Sequence, residues 1–147
     1  MSAQKLYTPE MLGLALELAA HPLDPQLTVV GEARSQSCGS TLAMNFSLDG
    51  DGRIEKLGMR ARACAVGQAA AAIFARHAVG RNAEDLAAAL EAIRSWLADA
   101  KEDGLDLPDW PDLAMIEAAR DFPGRHGAIL LPWQAAVSAL STAPAAR

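Results

Sequence analysis

The sequence predicts an α+β fold: a small three-stranded antiparallel sheet packed against several helices on one face. Three observations carry this. Residues 41–48 alternate apolar and small side chains, an Asp-Gly-Asp-Gly turn follows at 49–52, and from residue 64 the apolar spacing changes from two to three or four. The chain has 147 residues, which suits one domain over 1–147 with its core at about 5–140 and a frayed tail at 141–147. Although 51% of the residues are hydrophobic, 32 are alanines and only 5% are aromatic. The core must therefore come from Leu, Ile, Val, Met and the few aromatics, with Ala letting helices approach closely.

Taken in order, the first helix should open at Thr8, an N-cap followed by Pro9 and Glu10, and stop at His21-Pro22. Residues 27–36 form a weak first strand around Val29 and Val30. In the second strand, Leu42, Met44, Phe46 and Leu48 share one face and Thr41, Ala43, Asn45 and Ser47 the other. The return strand, 53–63, sets Leu57, Met59, Ala61 and Ala63 against the core, with Arg60 and Arg62 outward. An Ala-rich helix follows over 65–79, closed by Gly80-Arg81. Asn82 caps the next, whose Leu86, Leu90, Ile93 and Leu97 make an apolar stripe. Residues 99–112 read as a polar loop, Leu113–Asp121 as a short helix, and about 129–140 as a last helix that admits Pro132 only in its first turn.

Composition excludes several function classes. A formal net charge of −5 leaves no basic stripe to neutralise phosphates, which argues against nucleic acid and anionic membranes. The apolar run at 11–20 contains Glu17 and is too short to span a bilayer or serve as a signal peptide. Two cysteines cannot make a secreted disulfide framework, so the expected location is cytoplasmic. The sequence has no phosphate-binding Gly motif, no G-x-S-x-G, no H-E-x-x-H and no C-x-x-C. The acidic run Asp99, Glu102, Asp103 and Asp106 does not have calcium-loop spacing and reads as a solvated loop.

Chemistry concentrates on the cysteines. Cys38 lies in the small-residue loop Ser35-Gln36-Ser37-Cys38-Gly39-Ser40, where Gly39 permits a sharp turn. Cys64 lies between a strand and a helix, and a helix N-terminus favours thiolate, the form that binds metal or carries persulfide. The plainer reading of both is a small buried apolar residue. His126, before the last helix, is a weaker candidate, and the plainer reading is an incidental surface histidine. Cys38 and Cys64 would also oxidise to a disulfide if their Cα atoms came within about 7 Å.

Three stretches resemble the NifU/IscU/SufU family of iron–sulfur cluster assembly scaffold proteins. Ser37-Cys38-Gly39-Ser40 with the strand after it is similar to the family's Cys-Gly-Asp motif. Ala63-Cys64-Ala65-Val66-Gly67-Gln68 is similar to the motif in which a second cysteine opens a helix. Phe122-Pro123-Gly124-Arg125 through Leu131-Pro132-Trp133 is similar to the segment around the third cysteine. The loop at 99–112 and the absence of Leu-Pro-Pro-Val-Lys near residues 122–126 place the resemblance closest to the SufU-like branch.

The resemblance implies a non-enzymatic scaffold that accepts sulfur from a cysteine desulfurase and passes its product to acceptor apo-proteins. Through Cys38 and Cys64 it would hold sulfur, iron, a [2Fe–2S] cluster or zinc, and Arg125 would place positive charge near the sulfur path. The sequence also departs from the family pattern. Ser40 stands at the aspartate position, and Ala128, or Gly127 after a one-residue slip, stands at the third-cysteine position. A serine hydroxyl is a poor ligand beside carboxylate or thiolate, leaving His126 as the nearby replacement donor. The alternative expectation is a non-catalytic binding or regulatory module that kept the fold and lost cluster binding.

Overall fold

In the computed structural model, residues 8–36, 39–98 and 108–142 are described. Thr8 caps α1 (Pro9–Glu17): its hydroxyl accepts from the Met11 N–H at 3.1 Å, and Pro9 occupies the first turn. A short 3-10 turn (Leu18–Ala20) ends the helix before His21-Pro22. Strands β1 (Val29–Arg34), β2 (Thr41–Leu48) and β3 (Ile54–Arg62) then make an antiparallel sheet in the order β1-β2-β3.

The predicted hairpin forms through Asp49, whose carboxylate accepts from the Asp51 and Arg53 N–H groups while Gly52 takes a φ of 78°. The alternation of β2 becomes burial. Leu42, Met44 and Phe46 are buried on the face covered by helices α2 (Ala65–His77) and α4 (His126–Thr142). Helix α3 (Ala83–Ala98) packs on α4 and is opened by a reciprocal cap, Asn82 Oδ1 accepting from the Asp85 N–H and Asp85 Oδ2 from the Asn82 N–H.

The outer face of the sheet is covered at one end only. There residues 21–27 run beside β3: the Met59 N–H donates to the His21 carbonyl, and Asn45 is bonded to the Asp24 backbone. The Pro22 carbonyl lies 2.3 Å from where a Cβ on Gly58 would be, so only glycine admits this crossing. The other end of that face, around Thr41 and Ala43, is open.

On the C-terminal side Leu113–Asp121 is the expected short helix, built of 3-10 turns and broken at Ile116, whose φ of −117° and ψ of 18° lie outside helical values. One expectation fails there. The last helix begins at His126, so Pro132 lies inside it rather than in its first turn. Pro132 removes the N–H that would bond to the Ala128 carbonyl, and burial of Ile129, Leu131, Trp133, Ala135, Ala136 and Ala139 holds the helix despite that loss. The aromatic centre of the core is Phe74 stacked on Trp110, with Trp133 edge-on to both.

Candidate functional site

Three junctions meet at one end of the sheet: the β1–β2 connection, the step from β3 to α2, and the turn before α4. There Gly39, Ser40, Arg62, Ala63, Cys64 and Arg125 line a shallow depression of about 350 Å³. Gly39 has the left-handed φ of 73° that the small-residue loop calls for, and its N–H donates to the Ser35 carbonyl. The Ser35 N–H in turn donates to the Ser40 carbonyl at 2.8 Å, closing the connection and leaving Ser40 only 5% exposed.

Cys64 is the N-cap residue of α2, with extended backbone angles, and its side chain makes no capping bond. It is a free thiol, half-buried against the edge of the core. Its carbonyl accepts the first helical bond from the Gln68 N–H, and Gln68 Nε2 reaches back to the Ala63 carbonyl at 2.8 Å. This pair of bonds fixes where the sulfur emerges.

The first turn of α4 lies against this same turn of α2. A Cβ on Gly67 would stand 2.8 Å from the Ala63 Cβ and 3.2 Å from the Ala128 Cβ. Position 128, where the resemblance expects the third cysteine, therefore packs beside the start of α2, occupied by a fully buried methyl group. His126 opens α4 but does not line the depression: its Nε2 donates to the Arg120 carbonyl at 2.8 Å. The structure thus brings Cys64 together with Ser40 and Arg125 and leaves His126 outside the depression; Cys38 lies outside the described residues. Among the described residues, no group of three His, Cys, Asp or Glu side chains could hold a metal ion.

Arg62 completes the rim, and sequence reasoning gave it no role. The signal was present in its outward position on β3, two residues before Cys64.

A second polar cluster stands at the far end of α2. Arg76 makes a bidentate pair with Glu17 at 2.6 and 2.8 Å and reaches Asp112 at 3.1 Å, while His77 Nε2 meets Asp112 at 2.7 Å. The guanidinium hydrogen bonds hold the Glu17 carboxyl below the usual range, and the bond from His77, then that from Arg76, does the same for Asp112. About 18 Å of helix lies between Cys64 and Arg76, well beyond a Debye length at ordinary salt.

Solved structures share this fold. The N-terminal part of a nitrogen-fixing NifU-like protein from Brucella abortus matches with a TM-score of 0.80 at 26% identity, over 93% of each chain. A protein from the thermophile Fervidobacterium islandicum AW-1, described as an iron–sulfur cluster assembly scaffold protein for the SUF system, matches with a TM-score of 0.80 at 18% identity. That match covers 95% of this chain and 99% of the other. The chain shares the fold of these two proteins. The α+β expectation and the NifU/SufU resemblance are both met by this fold. A hypothetical protein matches less closely, with a TM-score of 0.66 at 16% identity. No protein-family profile and no curated protein matches the sequence. Among the described residues, no helix is long and apolar enough to cross a membrane.

Proposed function

We propose that this NifU/SufU-type chain is a sulfur-accepting scaffold of iron–sulfur cluster assembly, served by a cysteine desulfurase and without catalytic turnover of its own. The observation that carries the reading is Cys64, an uncapped free thiol at the N-cap of α2, opening on a depression that Arg62 and Arg125 share.

The transfer is a thiol exchange. The Cys64 thiolate attacks the outer sulfur of a persulfide on the desulfurase; that S–S bond breaks, the desulfurase cysteine leaves as thiolate, and Cys64 carries the outer sulfur as a new persulfide. The first-turn N–H groups of α2 and the two arginines place positive charge where the terminal sulfur would sit. Cys38, which precedes Gly39 in the sequence, is the second proposed acceptor or thiolate ligand, with release to acceptor apo-proteins.

Iron, a [2Fe–2S] cluster or zinc would be cargo on this surface. Among the described residues the donors do not complete a site for it: one thiol, the nearly buried Ser40 hydroxyl, and a His126 ring that does not line the depression. Retention would need Cys38 and ligands supplied from outside this set. The same deficit favours the second reading, a binding module that keeps the fold and a desulfurase-facing surface.

Anaerobic incubation with a cysteine desulfurase and cysteine, followed by intact-mass spectrometry, separates the two. The first reading gives a reductant-labile gain of sulfur that Cys64→Ser abolishes or strongly reduces. A chain that binds the desulfurase but never gains sulfur is the module instead. Reconstitution with iron and sulfide tests the cargo separately, through a brown absorbance that depends on Cys38 and Cys64.

A further inference from the structure

The open end of the outer sheet face is a trough of about 470 Å³, with arginines as its walls and small residues as its floor. Strand register builds it. Arg34 and Arg62 both pair with Thr41, one from each side, and Glu32 and Arg60 both pair with Ala43 in the next row. Long side chains therefore stand on the two outer strands, and only a threonine and an alanine lie between them. The segment over Asn45 and Gly58 closes the trough at its other end.

The charge of this surface runs against that of the chain, which is −5. Arg34, Arg60 and Arg62 are exposed, and among the described residues none makes an ion pair or side-chain hydrogen bond. Every other described arginine has a partner, as Arg53 has Asp85, Arg76 has Glu17 and Asp112, and Arg94 has Glu91. Three unpaired cations gathered on one face of an acidic protein fit an anionic occupant.

We propose that the trough seats an extended acidic segment of a partner protein, with alternate carboxylates meeting Arg62 and Arg60 in turn and a further carboxylate meeting Arg34. Geometry selects an extended chain. Arg60 and Arg62 are two residues apart on one strand, about 6.8 Å, which is also the repeat of same-side groups in an extended peptide. Arg34 stands two strands away from Arg62, about 9.6 Å between backbones, so a further carboxylate of the same segment can meet it across the floor. Glu32 opposes Arg60 across the floor, so carboxylates are accepted on one wall and repelled at one point of the other. A continuous polyanion such as nucleic acid would meet that carboxylate and the acidic remainder of the molecule.

This site stands independently of sulfur chemistry at Cys64. It adjoins the depression through Arg62, which lines both, so a segment bound here would hold its parent protein over the thiol.

Fluorescence anisotropy with the full chain at low salt tests the proposal. The probes are a short labelled peptide of alternating Glu and Ser, the same peptide with Gln for Glu, and a labelled oligothymidylate. The Glu peptide should bind, lose affinity with added salt, and bind at least about tenfold more weakly to the Arg34→Gln/Arg60→Gln/Arg62→Gln variant. Arg94→Gln should change nothing, and Glu32→Gln should tighten binding, which keeps the test open if the triple variant fails to fold. Equal binding of the Glu and Gln peptides, no binding of either, oligothymidylate binding as tightly as the Glu peptide, or no response to Glu32→Gln would each overturn it.

Discussion

Gly67 stands one turn into α2 from Cys64, and two opposing effects meet at its Cα. Alanine is the better helix former by about 1 kcal/mol, so an isolated helix would gain from Gly67→Ala. In the folded chain the new Cβ would lie 2.8 Å from the Ala63 Cβ and 3.2 Å from that of Ala128. Neither neighbour has a rotamer to change, so backbone must move, and overpacking of this kind costs about 1–3 kcal/mol. Crowding wins. Gly67→Ala should lower the thermal midpoint by about 2–8 °C, read by circular dichroism. It should also change the rate at which iodoacetamide alkylates Cys64, because the displaced turn carries the thiol. An unchanged or higher midpoint would show that α4 yields freely here. Cys64 was legible in the sequence because a thiol at a strand–helix junction signals by itself. Gly67 was not, since what makes it necessary is the methyl of a residue 61 positions away.

Elements whose signal is local were read most accurately. β2 occupies Thr41–Leu48 as its alternation predicts, the Asp-Gly turn sits where expected, and Asn82 caps α3. Elements held by their neighbours were read less well. Local rules place Pro132 in a first turn, but α4 packs on β1, β2, α2 and α3 together, and that burial carries the helix through the proline from His126 onward. The tightest of these contacts is between β1 and α4. A Cβ on Gly31 would stand 2.2 Å from the Ala135 carbonyl oxygen and 2.7 Å from the Ala139 Cβ. Gly31→Ala should therefore push helix from sheet and cost about 3 kcal/mol or more, lowering the urea midpoint. Ala139→Gly should not rescue it, because the closer clash is with main chain. Rescue would mean that the methyl contact alone sets the separation. The candidate site was legible only in part for the same reason: Cys64, Ser40 and Arg125 were named from motifs, whereas the rim position of Arg62 follows from strand register.

Across the whole molecule, α2 links two regions of different chemistry. Its N-cap carries the thiol of the proposed sulfur site, and its last turn carries Arg76 and His77, which bind Glu17 from α1 and Asp112 from the segment entering the 3-10 turns. This cluster ties three parts of the chain together, and it should make a small part of the stability depend on pH on the acid side. Both carboxyls are held below their ordinary range in the folded protein, Glu17 chiefly by hydrogen bonds from Arg76 and Asp112 chiefly by that from His77. A carboxyl with a lowered folded pKa binds fewer protons folded than unfolded, so its stabilising contribution is complete above the unfolded range. The contribution disappears as pH falls through the lowered folded value. The side chains are about a third exposed, so solvent and salt screen them, and each pair should contribute about 0.2–1 kcal/mol. The Glu17→Gln/Asp112→Asn variant should thus melt below the wild type at neutral pH. The gap between the two midpoints should close as pH is lowered from about 5 toward 2, and should narrow at neutral pH in high salt. A gap that stays constant over that range would assign the stabilisation to side-chain packing, with the charges contributing nothing measurable.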